Sequence, residues 1–332
     1  MKPKKIIGTV AAILIVIAIA AVTRWKALTT LNIDYDEDDY MRAAQQFTAV
    51  FRSGDLKQIM DTNYRPEHPP FAKMVLGIAL LGDPEKPVVP DHPTSAEPNK
   101  YLPRDLLRSD RLTNALFGIV TTGLLAMVNP LGGLFLAIHA WTIKYDSQIM
   151  LEAIPALTSL VSVLAYLMWR RRQADRVRSW LIISAIFLGI TVASKYLYAV
   201  IGIAIVVDWL FYAGEKAEWK SVFRNIIIWG VLAVVVFLLC DPYLWPDPIG
   251  RLSESILYHA SYSTGAEEVQ SAHYPIWQQF IWLSTSPLVW QRNAFFFSID
   301  PIIALFAVLG FVETWKKHRV FAIWLLVALI FL

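Results

Sequence analysis

A single cysteine, Cys240, excludes an internal disulfide and a multi-cysteine metal site. Charge is also scarce, at 17% of 332 residues, and the net value is only +3. The basic residues sit in small clusters at the ends of apolar runs, so no nucleic acid partner is expected. No internal repeat or low-complexity tract is present. What fills the sequence is apolar: 56% of residues are hydrophobic and the mean hydropathy is +0.47. Apolar runs recur from Ile6 to Leu332. That pattern implies an all-α, polytopic membrane protein, because backbone polar groups in lipid must be satisfied within helices. Thirteen Trp and thirteen Tyr suit belts at the membrane–water interfaces. The N-terminal MKPKK and the run to Val22 lack a small-residue cleavage site, so an uncleaved first span is expected.

About nine spans are expected, near residues 6–23, 112–128, 131–144, 151–169, 180–195, 197–212, 225–240, 295–312 and 320–332. The second and third meet at Asn129-Pro130, a tight turn. The last ends after thirteen residues, which reads as a chain that continues further or is incomplete. Basic clusters fix the expected orientation. Lys2, Lys4 and Lys5 precede the first span. Arg170, Arg171, Arg172, Arg176 and Arg178 follow the fourth. Lys216, Lys220 and Arg224 follow the sixth, and Lys316, Lys317 and Arg319 the eighth. All lie on one side, taken as cytoplasmic, with Arg24 and Lys26 as exceptions. Two long loops, about 24–111 and 241–294, then lie outside.

The first outer loop opens with NIDYDEDDY, five carboxylates in six residues: Asp34, Asp36, Glu37, Asp38 and Asp39. An acidic run is commonly a solvated loop tip. Here it directly follows a span and leads into an amphipathic helix over Asp39–Phe51, with Tyr40, Ala43, Ala44, Phe47 and Val50 on one face. That arrangement places a base near lipid headgroups. Pro66-Glu67-His68-Pro69-Pro70 forms a rigid corner before an interfacial apolar stretch, Phe71–Leu81. Glu67 and His68 there suit a substrate hydroxyl, or a divalent metal, though one His and one Glu are weak evidence for a metal. The corner is as readily structural. Gly82–Pro103 reads as irregular loop.

Arg104, Arg108 and Arg111 share one helical face, where guanidiniums either anchor in headgroups or grip a phosphate. Arg111 begins an apolar run and is the stronger candidate. Lys195, between two apolar runs, invites an anion, and a lipid phosphate is the obvious one. Gln148 and Glu152 lie at the outer end of the fourth span, with Glu152 facing a polar cavity or a cation. The second outer loop mixes polar residues with Tyr243, Trp245, Tyr258, His259, Tyr262, His273, Tyr274 and Trp277. Flat faces with polar edges suit a sugar; an interfacial belt accounts for some of them.

Asp36-Glu37-x-x-Tyr40 resembles the Asp-Glu-x-x-Tyr opening of the C-type, membrane-embedded glycosyltransferases that use lipid-phosphate sugars. HPPFAKMVLGIAL resembles the His-Pro-Pro-Leu-x-Lys segment of their protein O-mannosyltransferase branch. RLTNALFG, YDSQIMLEA, SKY and the aromatic loop with His259 add to the likeness, which runs over about residues 6–295. Leu151-Glu152 stands where that branch usually carries Leu-Asp, the expected spans are fewer than the family norm, and no soluble carbohydrate-binding domain is read after them in the sequence to Leu332.

The resemblance implies inverting transfer from a dolichyl- or undecaprenyl-phosphate sugar, mannose or a similar hexose, to a hydroxyl of a protein, lipid or glycan. Asp36 would be the base and Glu37 would orient the acceptor or the base. Arg111 and Lys195 would hold the donor phosphate. Glu67, His68, Gln148, Glu152, Tyr243, His259 and His273 would shape the substrate site, with a divalent ion there as in some relatives. No other cofactor is expected. The partners are donor, acceptor and bilayer. The expected fold is a bundle of spans under an outer cap of interfacial helices, with the N-terminus cytoplasmic and the site on the extracytoplasmic face of a cell membrane. Two other readings are a transporter and a non-catalytic subunit that binds a lipid-linked sugar. Ionisable residues gathered at the outer face, with Asp208 the main exception, and halves that look unrelated speak against the transporter.

Overall fold

In the computed structural model the described residues are 3–90, 102–171, 178–216, 219–275, 277–285, 294 and 298–331. Arg172, Arg176, residues 91–101 of the first loop and residues 286–293 of the second lie outside them. Every regular element among the described residues is helical. Five helices are long and apolar enough to cross a membrane: Ile7–Thr30, Arg104–Val128, Ala153–Arg171, Tyr196–Gly214 and Trp219–Cys240. The chain divides into two compact units. One holds Met1–Arg65, Ala72–Leu157 and Ile281–Leu305; the other holds Pro66–Phe71, Thr158–Phe280 and Phe306–Leu332.

The first unit begins with α1 (Pro3–Thr30). Helix α2 (Glu37–Ser53) is the amphipathic helix, buried through Tyr40, Met41, Ala43, Ala44, Phe47 and Val50 and ended by Gly54 at φ 72°. Helix α3 (Phe71–Ala79) follows the double proline and runs into a 3₁₀ turn at Leu80–Gly82. Helix α4 (Arg104–Val128) packs on α1. The expected span at 131–144 is instead two short helices, α5 (Pro130–Ile138) and α6 (Ala140–Ser147). Asn129 caps α5 by accepting from the Leu131 and Gly132 amides, with Pro130 in the first turn. The break at His139 has its own caps. The His139 ring accepts from the Thr142 amide, and Asp300 Oδ1 accepts from the Ala140 amide at 2.9 Å. With these donors met, extended backbone at His139 leaves little unsatisfied. Small residues (Ala20, Ala126, Ala137) bring α1, α4 and α5 together with Val16.

Helix α7 (Ala153–Arg171) leads into the second unit. There α8 (Arg178–Ser194), α9 (Val200–Lys216) and α10 (Trp219–Cys240) surround an aromatic core of Tyr166, Trp169, Trp209 and Trp229. Helices α11 (Pro248–Gly265), α12 (Glu267–Ala272) and α13 (Gln278–Ser284) occupy the expected second loop. The last two expected spans lie in α14 (Asp300–Phe331), which is two helices meeting at a kink where His318 leaves helical geometry. Asp208 is fully buried, yet it accepts from Tyr166 (2.8 Å), Arg170 and Arg319 (3.0 Å). It therefore ties α7, α9 and α14 together, and needs no ion path to account for it.

Candidate functional site

The acidic segment folds around Glu37. This residue is fully buried and accepts four hydrogen bonds. Arg111 donates two, Nε to Oε1 at 2.8 Å and Nη2 to Oε2 at 2.6 Å. The Ile149 amide donates to Oε1 at 2.7 Å and the Asp34 amide to Oε2 at 2.9 Å. Arg111 also donates to the carbonyls of Leu28, Leu31 and Asn32. Its donors are thus committed inside the protein, and it is 2% exposed. A guanidinium so placed is no longer a phosphate grip; it pins the end of α1 to α4. Gln148 belongs to the same lattice: its Nε2 donates to the Asn32 carbonyl, and its backbone carbonyl accepts from Asn114 Nδ2. Three residues expected to meet substrate, Glu37, Arg111 and Gln148, are therefore struts. Arg104 and Arg108 are exposed, Arg108 over the Trp25 ring at 5.4 Å.

The struts leave Asp36 half-buried as the residue preceding α2, with its carboxylate taking no part in capping the helix. Nearby, Lys144 pairs with Asp34 at 2.6 Å and stands over the Tyr145 ring at 4.8 Å. Burial, then the charges of Glu152, Asp34 and Asp36, push the Tyr145 phenol up to about 12. Glu152, Asp34 and Asp36 thus each lie close enough to act on Tyr145. Arg24 is fully buried and grips Asp146 through Nε (2.9 Å) and Nη2 (2.7 Å). Burial pushes the Asp146 carboxyl up, and Arg24 opposes that shift. Gly118 makes the space: a Cβ there would meet Asp146 Oδ2 at 2.2 Å.

A second brace, unforeseen from the sequence, lies at the turn before the double proline. Arg65 adopts φ 58°, a strained value for a residue with a Cβ. Its Nε donates to Asp39 Oδ2 at 2.7 Å, and Tyr64 donates to Oδ1 at 3.0 Å. Fully buried Lys73 donates to Asn63 Oδ1, the Tyr64 carbonyl and the Arg65 carbonyl, at 2.8, 2.8 and 2.7 Å. The lysine of the His-Pro-Pro segment is thus a clamp. Its signal was a charge on the apolar side of α3.

In the second unit Glu67 is buried, and its carbonyl accepts from Ser255 at 2.7 Å and meets His259 Nε2 at 3.0 Å. The His68 and His259 rings lie 5.3 Å apart. A cavity of about 150 Å³ is lined by Glu67, Tyr243, Arg251, Glu254, Ser255 and Tyr258, with Pro66 at its edge. Arg251 lies over Tyr243 at 4.2 Å. His273 is exposed, at φ 47°, and is not among the lining residues. Lys195 is half-buried at the break between α8 and α9. Tyr196 beside it donates to buried Asp241 at 3.2 Å. Among the described residues no group of three or more His, Cys, Asp and Glu is placed to hold a metal, so Glu67 and His68 do not form a divalent-ion site with such neighbours. No protein-family model matches this chain, and no curated protein matches it.

Proposed function

We propose that this protein is a membrane glycosyltransferase. It moves a hexose from a polyprenyl-phosphate donor to a hydroxyl acceptor on the extracytoplasmic face, with inversion. The observation that carries the reading is Asp36: a half-buried carboxylate immediately before α2, on a segment held by the Glu37–Arg111 brace. A general base needs such a position, because it must be fixed in direction and still reachable. The motif likeness around Asp36-Glu37 and His68-Pro69-Pro70 supplies the reaction class.

In this reading Asp36 takes the acceptor hydroxyl proton as the oxygen attacks the anomeric carbon. The glycosidic C–O bond to phosphate breaks on the opposite side, and polyprenyl phosphate leaves. Lys195 meets the developing phosphate charge. Glu152 and Tyr145 set the electrostatics around Asp36. Glu67, Tyr243 and His259 serve the sugar or the acceptor. The proposal retains a many-spanned bundle with an extracytoplasmic cap and a cytoplasmic N-terminus.

The test is transfer of radiolabelled sugar from a panel of polyprenyl-phosphate sugars in proteoliposomes. One active donor establishes the class and identifies the sugar. No transfer from any donor, with donor binding intact, would instead mark a non-catalytic binding subunit.

A further inference from the structure

A groove of about 820 Å³ lies in the second unit, distant in chemistry from the acidic segment. That volume is within the range of ligand sites, roughly 300–1,000 Å³. Its walls are polar at one end and apolar along the rest. On α10, Ser221, Arg224, Asn225, Ile228, Trp229 and Leu232 line it, a spacing of i, i+3, i+4, i+7, i+8 and i+11 on one helical face. On α8 the lining residues are Arg178, Leu181 and Ile182, and Trp169 of α7 completes it.

The order of these residues is informative. Polar side chains occupy the first turns of α8 and α10, and apolar ones follow for about 12 Å beyond Arg224 at 1.5 Å per residue. The two helices pack against each other, and an added Cβ at Gly189 would meet the Ala233 carbonyl oxygen at 2.6 Å. That tight crossing lies C-terminal to the groove residues on both helices. Both helices therefore present their N-terminal ends, with their positive dipole ends, toward the polar part of the groove. Arg178 and Arg224 are exposed, and neither has an ion pair among the described residues.

We propose that this groove binds one anionic phospholipid of the bilayer. The phosphate sits between Arg178 and Arg224, with Ser221 and Asn225 donating to its oxygens. An acyl chain lies along Leu181, Ile182, Ile228 and Leu232. Charge complementarity selects the headgroup, and the polar-to-apolar order selects a lipid over a soluble anion. The positive-inside pattern places this end at the cytoplasmic leaflet, where anionic lipids are enriched. The site is independent of the transfer reaction.

The test is native mass spectrometry of the full chain in detergent, titrated with phosphatidylglycerol, phosphatidylcholine, polyprenyl phosphate or inorganic phosphate. Wild type is compared with Arg178→Gln/Arg224→Gln, with Ile228→Trp, and with Lys316→Gln/Lys317→Gln as a charge control. Melting temperatures check that each variant folds. The expected result is one phosphatidylglycerol retained in preference to phosphatidylcholine. Retention should be about thirtyfold weaker in the double arginine variant, the size of two arginine–lipid contacts. It should also weaken in Ile228→Trp, which fills the groove without touching charge, and hold in the lysine control. Equal retention of both phospholipids, equal loss in the lysine control, or retention unchanged by Ile228→Trp would overturn the proposal. Stronger binding of inorganic phosphate than of phosphatidylglycerol would overturn it as well, as would polyprenyl-phosphate binding that falls in the double arginine variant as far as phosphatidylglycerol binding does.

Discussion

Glu37→Gln separates a structural carboxylate from a catalytic one. The side chains are nearly isosteric, so packing is preserved. The amide keeps one acceptor oxygen, which can still serve the Ile149 amide and Arg111 Nε. Its NH₂ then points at donors, the Asp34 amide and Arg111 Nη2, which now sit 2.9 and 2.6 Å from Oε2. Two hydrogen bonds become donor–donor contacts. The Arg111 charge, 2% exposed, loses its counter-ion. Breaking a buried ion pair from one side costs about 3–5 kcal/mol. At roughly 2–4 °C per kcal/mol, the melting temperature should fall by about 6–20 °C. The assay is intrinsic tryptophan fluorescence during heating in detergent. Replacing both partners with apolar residues, Glu37→Leu/Arg111→Met, should recover much of the loss, because no charge is left stranded. A Glu37→Gln melt within about 2 °C of wild type would refute the brace. If transfer were lost while that melt held, Glu37 would act on substrate instead.

Three further outcomes test the same structure. Gly118→Ala should destabilise by about 1–3 kcal/mol, since its Cβ would meet Asp146 Oδ2 at 2.2 Å; an unchanged melt would show that the Arg24–Asp146 pair has room to move. Lys73→Met leaves the Asn63 side chain and two carbonyls without their donor, so limited chymotrypsin digestion should cut after Tyr64 faster than in wild type. Equal rates would refute the clamp. Tyr145 has a folded-state pKa raised to about 12 against an ordinary 10.0. Its stabilising contribution is complete below 10 and is lost as pH rises toward about 12. Tyr145→Phe should therefore show a shallower fall in melting temperature across that window, and an identical slope in both proteins would count against it.

Hydropathy made the helices legible, and periodicity located α2 to within two residues at each end. The run at 131–144 misled because composition does not register a backbone break. The caps that permit it come from His139 itself and from distant Asp300. The break expected between the last two spans, at the basic residues 316–319, is present as the kink at His318. At the site, residue type was a sound guide to importance and a poor guide to role. Arg111 and Lys195 looked alike in sequence as cations near apolar runs. Only coordinates reveal that Arg111 faces Glu37 and three carbonyls. Arg24 is paired with a residue 122 positions away in the chain. Such pairings carry no local sequence pattern.

The central claim is that Asp36 is a base on a braced segment, and Asp36→Asn addresses it with two readings on one preparation. The substitution keeps the shape and removes proton acceptance. Transfer of labelled sugar should fall by about 10²–10⁴-fold, the usual contribution of a general base. The melting temperature should stay within about 4 °C of wild type, because the Glu37–Arg111 brace is untouched. Donor binding should survive. Transfer equal to wild type would contradict the assignment of Asp36, as would a lost activity accompanied by a melt as depressed as that of Glu37→Gln.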